Sequence, residues 1–316
     1  MTKIPAHAVS LKRERPVSLK RERRTMKSED MMLDVTSSTG LDEKVMIAAS
    51  LHLPDGMTKR PSQLVFAIHG GGYHRGYWDP GFADESYSFA HWFTEQGKAV
   101  LTIDMLGMGQ SSKPEPEDKL SGTIIAAAHA DALRQVVSRW DGPVSVTGMG
   151  HSMGGMMIIA QAAAFPEMDR VAVLGWANEP MILGDTDVAS LQADLIPSGY
   201  LATPRLPMRK LFYWDDVPLD LIEADEANAS TTPATLGKNA LTPGIVHDAS
   251  ASISVPVLVV QSEIDTSPAP DKELAYFSAS PSVELQILKS AAHCQNFAGT
   301  RETHWSQLND WIDRTS

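Results

Sequence analysis

Residues 143–164 read PVSVTGMGHSMGGMMIIAQAAA, and this stretch decides the fold. An apolar, β-branched run at 143–147 is followed by a glycine-rich turn and then by the helix-forming residues 156–164. Short apolar runs of this kind predict a strand that is buried on both faces. The chain therefore passes from a buried strand into a helix through a turn in which Ser152 stands between Gly150 and Gly154.

Ser152 lies at the centre of this turn in a Gly-x-Ser-x-Gly pattern. A sharp strand-to-helix turn exposes a serine hydroxyl, and flanking glycines let the strand and the helix pack closely. We interpret Ser152 as a candidate nucleophile, which needs a base and N–H groups that stabilise an oxyanion. The alternative is a glycine-rich turn that carries a serine by chance, because the pentapeptide by itself is a weak signal.

Strand-like and helix-like segments alternate along the chain from about residue 31. Apolar runs predict strands at 44–53, 64–68, 99–103, 144–147, 171–175, 255–260 and 283–288. Helices are predicted at 87–96, 124–140, 156–165, 274–277 and 302–312. This order predicts an α/β protein with a mostly parallel, doubly wound sheet and helices on both faces.

Residues 1–30 differ from the rest of the chain in charge. They carry a net charge of +5 within a protein of net charge −12, and residues 9–15 recur as 17–23. We expect a basic, disordered tail or an over-extended start upstream of Met26, Met31 or Met32. A transit peptide and a basic arm for nucleic acid or membrane are the alternatives.

A second interval, residues 181–245, contains no strand of the buried kind. A structureless loop of that length is improbable in a compact domain, so we predict a mostly helical cap there. The α/β core then consists of residues 31–180 and 246–316. Because open α/β sheets bind ligands at the carboxyl ends of their strands, a cap at that edge would cover a site.

Composition limits the possible partners and cofactors. The net charge of −12 disfavours a nucleic-acid surface, and no apolar run approaches the roughly 20 residues of a membrane span. Cys294 is the only cysteine, which favours a reducing compartment and hence a cytoplasmic protein. No ligand pattern predicts a metal, and the Gly107/Gly109 turn lacks the full dinucleotide fingerprint, so we expect no cofactor. The oligomeric state stays open, with a homodimer as one alternative.

Further motifs make residues 40–316 resemble the α/β-hydrolase-fold enzymes. The stretch His69-Gly-Gly-Gly-Tyr73 directly follows a predicted strand and is similar to the HGGG oxyanion loop of lipases and esterases. The resemblance implies that the N–H groups of Gly71, Gly72 and Met153 stabilise an oxyanion, while His69 braces the loop. The alternative is a glycine turn that only leaves the strand.

Residues 104–111 read DMLGMGQS and resemble the D-x-x-G-x-G-x-S turn of many members of this fold. We expect Asp104 to bond the backbone of this turn, and its glycines to adopt positive φ. Asp104 is therefore interpreted as a structural residue.

The resemblance also implies an acid and a base downstream of Ser152. Asp265 follows the strand at 255–260 and His293 follows the strand at 283–288, the positions of the acid and the histidine in the family pattern. The order Ser152, Asp265, His293 is that of α/β hydrolases. His293 would take the Ser152 proton while Asp265 orients the imidazole. The alternatives are, for the acid, Glu263 and Glu179, and, for the base, His247 and His304.

These residues imply a serine hydrolase that cleaves a carboxylic ester through an acyl-enzyme intermediate. Serine at the centre of the strand-to-helix turn disfavours haloalkane dehalogenases and epoxide hydrolases, which use aspartate at that position. Lactonase, thioesterase or carbon–carbon bond hydrolase activity with the same triad stays open, as does an acyltransferase. A non-catalytic ligand receptor is the remaining alternative.

Aromatic residues follow the oxyanion loop and recur in the predicted cap. We expect Tyr73, His74 and Trp214 to line the substrate pocket, together with His151 of the turn that contains Ser152. The substrate would be a small apolar or aromatic ester. The alternative is that these aromatic side chains pack the cap onto the core.

Overall fold

The computed structural model describes residues 26–57, 59–184, 188 and 199–316. The strands in these residues are β1 (Lys27–Asp34), β2 (Met46–Leu53), β3 (Gln63–Ile68), β4 (Ala99–Ile103), β5 (Ser145–His151), β6 (Arg170–Leu174), β7 (Tyr200–Ala202), β8 (Thr231–Pro233), β9 (Val257–Ile264) and β10 (Val283–Ala292). The α-helices are α1 (Thr36–Thr39), α2 (Phe89–Glu95), α3 (Gly122–Val137), α4 (Met153–Ala164), α5 (Arg209–Phe212), α6 (Leu219–Ala227), α7 (Ala234–Ala240), α8 (His247–Ser252), α9 (Pro270–Glu273) and α10 (Arg301–Arg314). Short 3-10 helices lie at Arg75–Tyr77, Glu85–Tyr87, Glu117–Lys119, Leu206–Met208, Leu274–Tyr276 and Gln295–Phe297.

One sheet of eight strands organises the core, in the order β1-β2-β4-β3-β5-β6-β9-β10. From β4 to β10 all neighbouring strands run parallel, whereas β2 is antiparallel to both β1 and β4. The strands alternate with helices along the chain. This confirms the predicted α/β class with a mostly parallel, doubly wound sheet.

Both faces of the central strands are buried, as their continuous apolar runs predict. In β3, Leu64, Phe66 and Ile68 pack on the face that α3 and α4 cover, whereas Val65 and Ala67 pack on the face that α2 and α10 cover. All five side chains are fully buried. Because alternate residues of a strand point to opposite faces, a strand between two helical layers is apolar throughout.

The carboxyl ends of the parallel strands position the candidate site. Ser152 directly follows β5, Asp265 directly follows β9 and His293 directly follows β10. The glycine-rich loop at 70–72 leaves β3 at the same edge of the sheet. Four loops that are distant in sequence therefore meet at the edge where open α/β sheets bind ligands.

Strand β1 corrects the predicted boundary of the basic tail. Residues 27–30, which the tail of residues 1–30 was expected to include, pair with β2 in an unbroken antiparallel register. This edge strand carries charged and mostly exposed side chains, so its apolar pattern is weak and backbone pairing holds it. Residues 1–25 lie outside the described residues.

The predicted cap region contains helices α5, α6 and α7 and, in addition, the small antiparallel sheet of β7 and β8. These two strands have three residues each, too few to produce a periodic pattern in the sequence. Residues 185–187 and 189–198 of the predicted cap lie outside the described residues. Across the part of the chain that the structure describes, no helix combines the length and the apolar character that crossing a bilayer requires.

Candidate active site

Ser152 occupies a strained turn between β5 and α4, with φ 55° and ψ −123°. A non-glycine residue rarely adopts positive φ, and such strain persists only where the surroundings impose it. The N–H of Ser152 donates to the carbonyl of Leu174 at 2.7 Å. A Cβ on Gly154 would lie 2.3 Å from the carbonyl oxygen of Ile68, so only glycine permits this close approach. The turn leaves Ser152 partly exposed at a cavity.

Asp265 and His293 form a buried pair, with 2.6 Å between Asp265 Oδ1 and His293 Nδ1. The carboxylate also accepts hydrogen bonds from the backbone N–H groups of Ser262 at 2.7 Å and Thr266 at 2.8 Å. Beside the pair runs Gly175 at φ +62°, where a Cβ would lie 3.0 Å from His293 Nδ1. These contacts fix the orientation of the imidazole ring.

The loop that carries His293 is held by its backbone. The N–H of His293 donates to the carbonyl of Leu211 in α5 at 2.9 Å. Its carbonyl accepts from Nε2 of His151 at 2.8 Å. Burial lowers the pKa of His151, so this ring stays neutral and acts as a donor.

Ser152 and His293 line the same cavity. Within the described residues, no hydrogen bond joins Ser152 Oγ to His293 Nε2. Catalytic hydrogen bonds are often long before substrate binds and tighten in the Michaelis complex. The arrangement thus provides a hydroxyl, a neighbouring imidazole and an oriented carboxylate at one cavity.

The glycine-rich loop corrects one predicted oxyanion donor. The N–H groups of Gly71 and Met153 have no hydrogen-bond partner within the described ranges, and both residues line the cavity with Ser152. The N–H of Gly72, in contrast, donates to Thr232 Oγ1 at 2.8 Å, and Gly72 is buried. The prediction of Gly72 as an oxyanion donor is therefore wrong, because its N–H is already used. Gly71 and Met153 remain as candidates.

His69 and Asp104 have the structural roles that the sequence predicted. His69 is fully buried, and its Nε2 accepts from the N–H of Met105 at 3.1 Å while its Nδ1 contacts the carbonyl of Gly70 at 2.8 Å. Burial lowers the pKa of His69 to about 4. Asp104 accepts from the N–H of Gln110 at 2.7 Å and from the N–H of Arg75 at 2.6 Å.

The alternative acids and bases bond elsewhere. Glu263 is exposed and accepts from the N–H of Ser290 at 2.9 Å, and Glu179 accepts from the hydroxyl of Tyr276 at 2.8 Å. His247 stacks on the same Tyr276 ring. His304 is buried in α10, and this burial lowers its pKa to about 3. None of these contacts involves Ser152.

The cavity beside Ser152 has a volume of about 140 Å³ and an apolar wall. Its apolar lining residues are Met153, Trp176, Met181, Leu183, Leu201, Ala202, Pro204, Met208, Phe212, Ala240 and Leu241. None of its described lining residues is Lys, Arg, Asp or Glu. Within the described ranges, no group of three or more His, Cys, Asp or Glu side chains is arranged to hold a metal ion.

The four side chains predicted to line the pocket do not line this cavity. Tyr73 is buried with its hydroxyl 2.9 Å from Asp225, and His151 stacks on Tyr77. Trp214 packs against the buried hydrophobic cluster that contains Tyr73 and Tyr77. His74 lines a separate, polar cleft. Tyr73 and Trp214 thus pack the predicted cap region onto the core, which was the alternative interpretation.

Most of the apolar side chains that line the cavity were not predicted from the sequence. Met208, Leu183 and Leu201 are isolated aliphatic residues of the cap region, and no motif or period marks them. Thr232 was missed as well, because its contact with Gly72 joins residues that are 160 positions apart.

The comparisons with known proteins agree with this fold. Residues 64–303 match the model of the alpha/beta hydrolase family, and the chain belongs to this family. No curated protein matches the chain in sequence. Membership of the alpha/beta hydrolase family makes this protein a hydrolase with a small molecule as substrate.

Three solved structures show the likeness in fold. A thermophilic esterase from Thermogutta terrifontis, with malate bound, has a TM-score of 0.67 at 14% identity, covering 91% of this chain and 99% of that one. An esterase from Exiguobacterium antarcticum has a TM-score of 0.63 at 16% identity, covering 90% and 100%. Proline iminopeptidase from Mycobacterium smegmatis has a TM-score of 0.61 at 15% identity, covering 91% and 98%.

Proposed function

We propose that this hydrolase cleaves a carboxylic ester through an acyl-enzyme intermediate on Ser152. The observation that carries the proposal is the buried Asp265–His293 pair, with 2.6 Å between Oδ1 and Nδ1, at the cavity that Ser152 lines. A carboxylate on Nδ1 holds the imidazole in the tautomer whose Nε2 accepts a proton. That is the tautomer a serine nucleophile requires.

In the proposed reaction, His293 Nε2 takes the proton of Ser152 as Oγ attacks the ester carbonyl carbon. The carbonyl oxygen becomes an oxyanion, to which the N–H groups of Gly71 and Met153 donate. His293 then gives its proton to the leaving alkoxide, and the acyl group stays on Ser152. Water, deprotonated by His293, releases the acid in a second addition and elimination. Throughout, Asp265 stabilises the imidazolium form of His293.

The cavity supports a neutral substrate with an apolar group of modest size. A buried charge without a partner is costly, and none of the described lining residues is Lys, Arg, Asp or Glu. An apolar protein cavity of about 150 Å³ accommodates benzene, and the cavity here measures about 140 Å³. We therefore infer an apolar group of about the size of benzene, in keeping with a small apolar or aromatic ester.

Ester hydrolysis is favoured over peptide hydrolysis by the same cavity. Esterases and an iminopeptidase share this fold, so the fold by itself does not select the bond that is cleaved. Peptide termini carry charge, for which the described lining offers no Lys, Arg, Asp or Glu.

We further propose residues 181–245 as the cap. Within this region, the carbonyl of Leu211 in α5 accepts a hydrogen bond from the N–H of His293 and so holds the loop that carries His293.

The experiment is a panel of aryl esters, lactones and thioesters assayed with the wild type, Ser152→Ala and a control, Ser252→Ala. Ser252 is an exposed serine at the end of α8. We expect Ser152→Ala to lose several orders of magnitude in kcat on the best ester, and Ser252→Ala to match the wild type. Full activity of Ser152→Ala would contradict the mechanism. Product analysis with a competing alcohol then separates hydrolysis from acyl transfer.

A further inference from the structure

Both backbone polar groups of Gly72, its N–H and its carbonyl, form hydrogen bonds with residues of the predicted cap region. Its N–H donates to Thr232 Oγ1 at 2.8 Å. Its carbonyl accepts from the N–H of Ser230 at 2.9 Å and from Nη2 of Arg205 at 2.7 Å. Thr203 packs so closely that a Cβ on Gly72 would lie 2.8 Å from its Oγ1.

These bonds act on a tight turn that contains the N–H of Gly71. The N–H of Tyr73 donates to the carbonyl of Gly70 at 3.3 Å, and Gly72 has φ +70°. Positive φ at the third position is the mark of a type II turn, which favours glycine there. The Gly70 carbonyl and the Gly71 N–H belong to one planar peptide group, so the turn fixes the direction of that N–H.

Arg205 is the charged residue among those that form hydrogen bonds with Gly72. It is buried, and its guanidinium lies 4.0 Å from the centre of the Tyr73 ring. The Tyr73 hydroxyl donates to the buried carboxylate of Asp225 at 2.9 Å, and the hydroxyl of Tyr213 donates to the same oxygen. Although burial opposes the charge, Tyr73 and Asp225 raise the pKa of Arg205, so the guanidinium stays charged. A charged donor makes a stronger hydrogen bond to the Gly72 carbonyl than a neutral one.

We propose that Thr232 and Arg205 are positioning residues, which hold the Gly70–Tyr73 turn so that the N–H of Gly71 faces the cavity at Ser152. This inference rests on the proposed function. It makes the oxyanion hole dependent on the docked cap region, because Arg205 and Thr232 both lie outside the sheet that carries the turn. A donor that moves by about 1 Å loses much of its effect on the transition state, roughly a hundredfold in rate.

The test compares Thr232→Val, which removes the acceptor at nearly constant size, with Thr232→Ser, which keeps it. Thr231→Val is the matched control, because Thr231 is the preceding residue of β8 and its hydroxyl accepts from Lys113 instead. Arg205→Met is the second test variant. For each protein, kcat and KM are measured on the best ester of the panel, with the melting temperature and the inhibition constant of an aryl trifluoromethyl ketone. The ketone forms a tetrahedral adduct with a serine nucleophile and places an oxyanion in the hole.

Thr232→Val and Arg205→Met are expected to lower kcat by about tenfold to a hundredfold and to weaken the ketone in parallel, with KM within about twofold. Thr232→Ser and Thr231→Val are expected to stay within about twofold of the wild type in kcat. A stability role alone would lower the melting temperature without the parallel loss of ketone affinity. The inference is overturned if Thr232→Val keeps its kcat, if only KM changes, or if Thr232→Ser loses as much as Thr232→Val. A wild type that the ketone does not inhibit would instead overturn the proposed function.

Discussion

Asp265 Oδ1 lies 2.6 Å from His293 Nδ1, and both side chains are almost completely buried. Two backbone N–H groups, those of Ser262 and Thr266, bind the same carboxylate. Electrostatic interactions are stronger in such a site than in water, because little solvent screens them. The carboxylate is therefore placed to select one tautomer of His293 and to stabilise its protonated form.

The first prediction concerns Asp265→Asn. The amide keeps the size of the side chain but can donate to Nδ1, which favours the tautomer with the proton on Nε2. That tautomer cannot accept the Ser152 proton, so kcat should fall by about 10³- to 10⁴-fold with little change in KM. Steady-state kinetics on the best ester measure the effect.

Glu263→Gln is the control for this variant. Glu263 lies two residues from Asp265, but it is exposed and bonds to the N–H of Ser290. Its replacement should leave kcat within about twofold. Equal losses in the two variants would argue against Asp265 as the specific partner of His293.

A second prediction concerns the close packing around the Ser152 turn. A Cβ on Gly154 would lie 2.3 Å from the carbonyl oxygen of Ile68 and 2.5 Å from that of His69, and backbone atoms of β3 and its loop cannot yield easily. Gly154→Ala should therefore destabilise the protein by about 3 kcal/mol in urea unfolding. Gly122→Ala, at the start of α3 with nothing within 4 Å of its Cβ, should be neutral or stabilise by about 0.5 kcal/mol. Equal stability of the two variants would contradict the packing described for the turn.

A third prediction concerns the size of the cavity. Ala240 of α7 lines it, so Ala240→Phe should reduce its volume. Two ester series, one with increasing acyl length and one with increasing alcohol length, are assayed. We expect the largest good substrate of at least one series to lose about tenfold or more in kcat/KM, while the smallest is retained. Lys238→Ala, an exposed position on the same helix, should leave both series unchanged. An unchanged size profile in Ala240→Phe would show that this cavity does not hold the substrate.

A fourth prediction concerns acid stability. Burial lowers the pKa of His69 to about 4 and the pKa values of His129 and His304 to about 3. The unfolded chain protonates the same rings near pH 6.5, so it binds more protons than the folded protein below that pH. The free energy of unfolding should therefore fall as the pH is lowered from about 6.5 towards 4, by up to about 1.4 kcal/mol per pH unit for each ring.

Urea unfolding between pH 7 and pH 5 measures this slope, with His129→Gln as the test variant. Glutamine can still accept from the N–H of Leu106, the bond that His129 makes at 3.2 Å. The slope should decrease by about 1 kcal/mol per pH unit in this variant and stay unchanged in Ser252→Ala, which removes no titratable group. A wild-type slope in His129→Gln would mean that this ring is not kept neutral by burial.

The sheet could be predicted from sequence because its central strands are apolar on both faces. The runs at 64–68 and 99–103 coincide with β3 and β4 to within one residue. Helix α4 begins at Met153, earlier than the predicted residue 156. The prediction started late because Gly154 and Gly155 are poor helix formers, whereas close packing requires glycine at both positions. Strand β1 was missed because its mostly exposed, charged residues give no buried pattern.

The candidate site was predictable where one loop directly follows a strand. Ser152, Asp265 and His293 each stand next to a strand end, and parallel strands bring those ends together. Contacts that depend on the cap region were not predictable in this way. The bond of Gly72 to Thr232 spans 160 residues, and the lining residues Met208 and Leu201 belong to short segments without a period.

Labelling with a fluorophosphonate probe shows directly whether Ser152 is the nucleophile. Folded wild-type protein is treated with the probe, digested and analysed by mass spectrometry, beside Ser152→Ala and Asp265→Asn. The expected result is one adduct, on the peptide that contains Ser152, with slower labelling of Asp265→Asn and none of Ser152→Ala. An unlabelled Ser152 in folded, ester-cleaving wild-type protein, or equal labelling of Ser152→Ala, would contradict it.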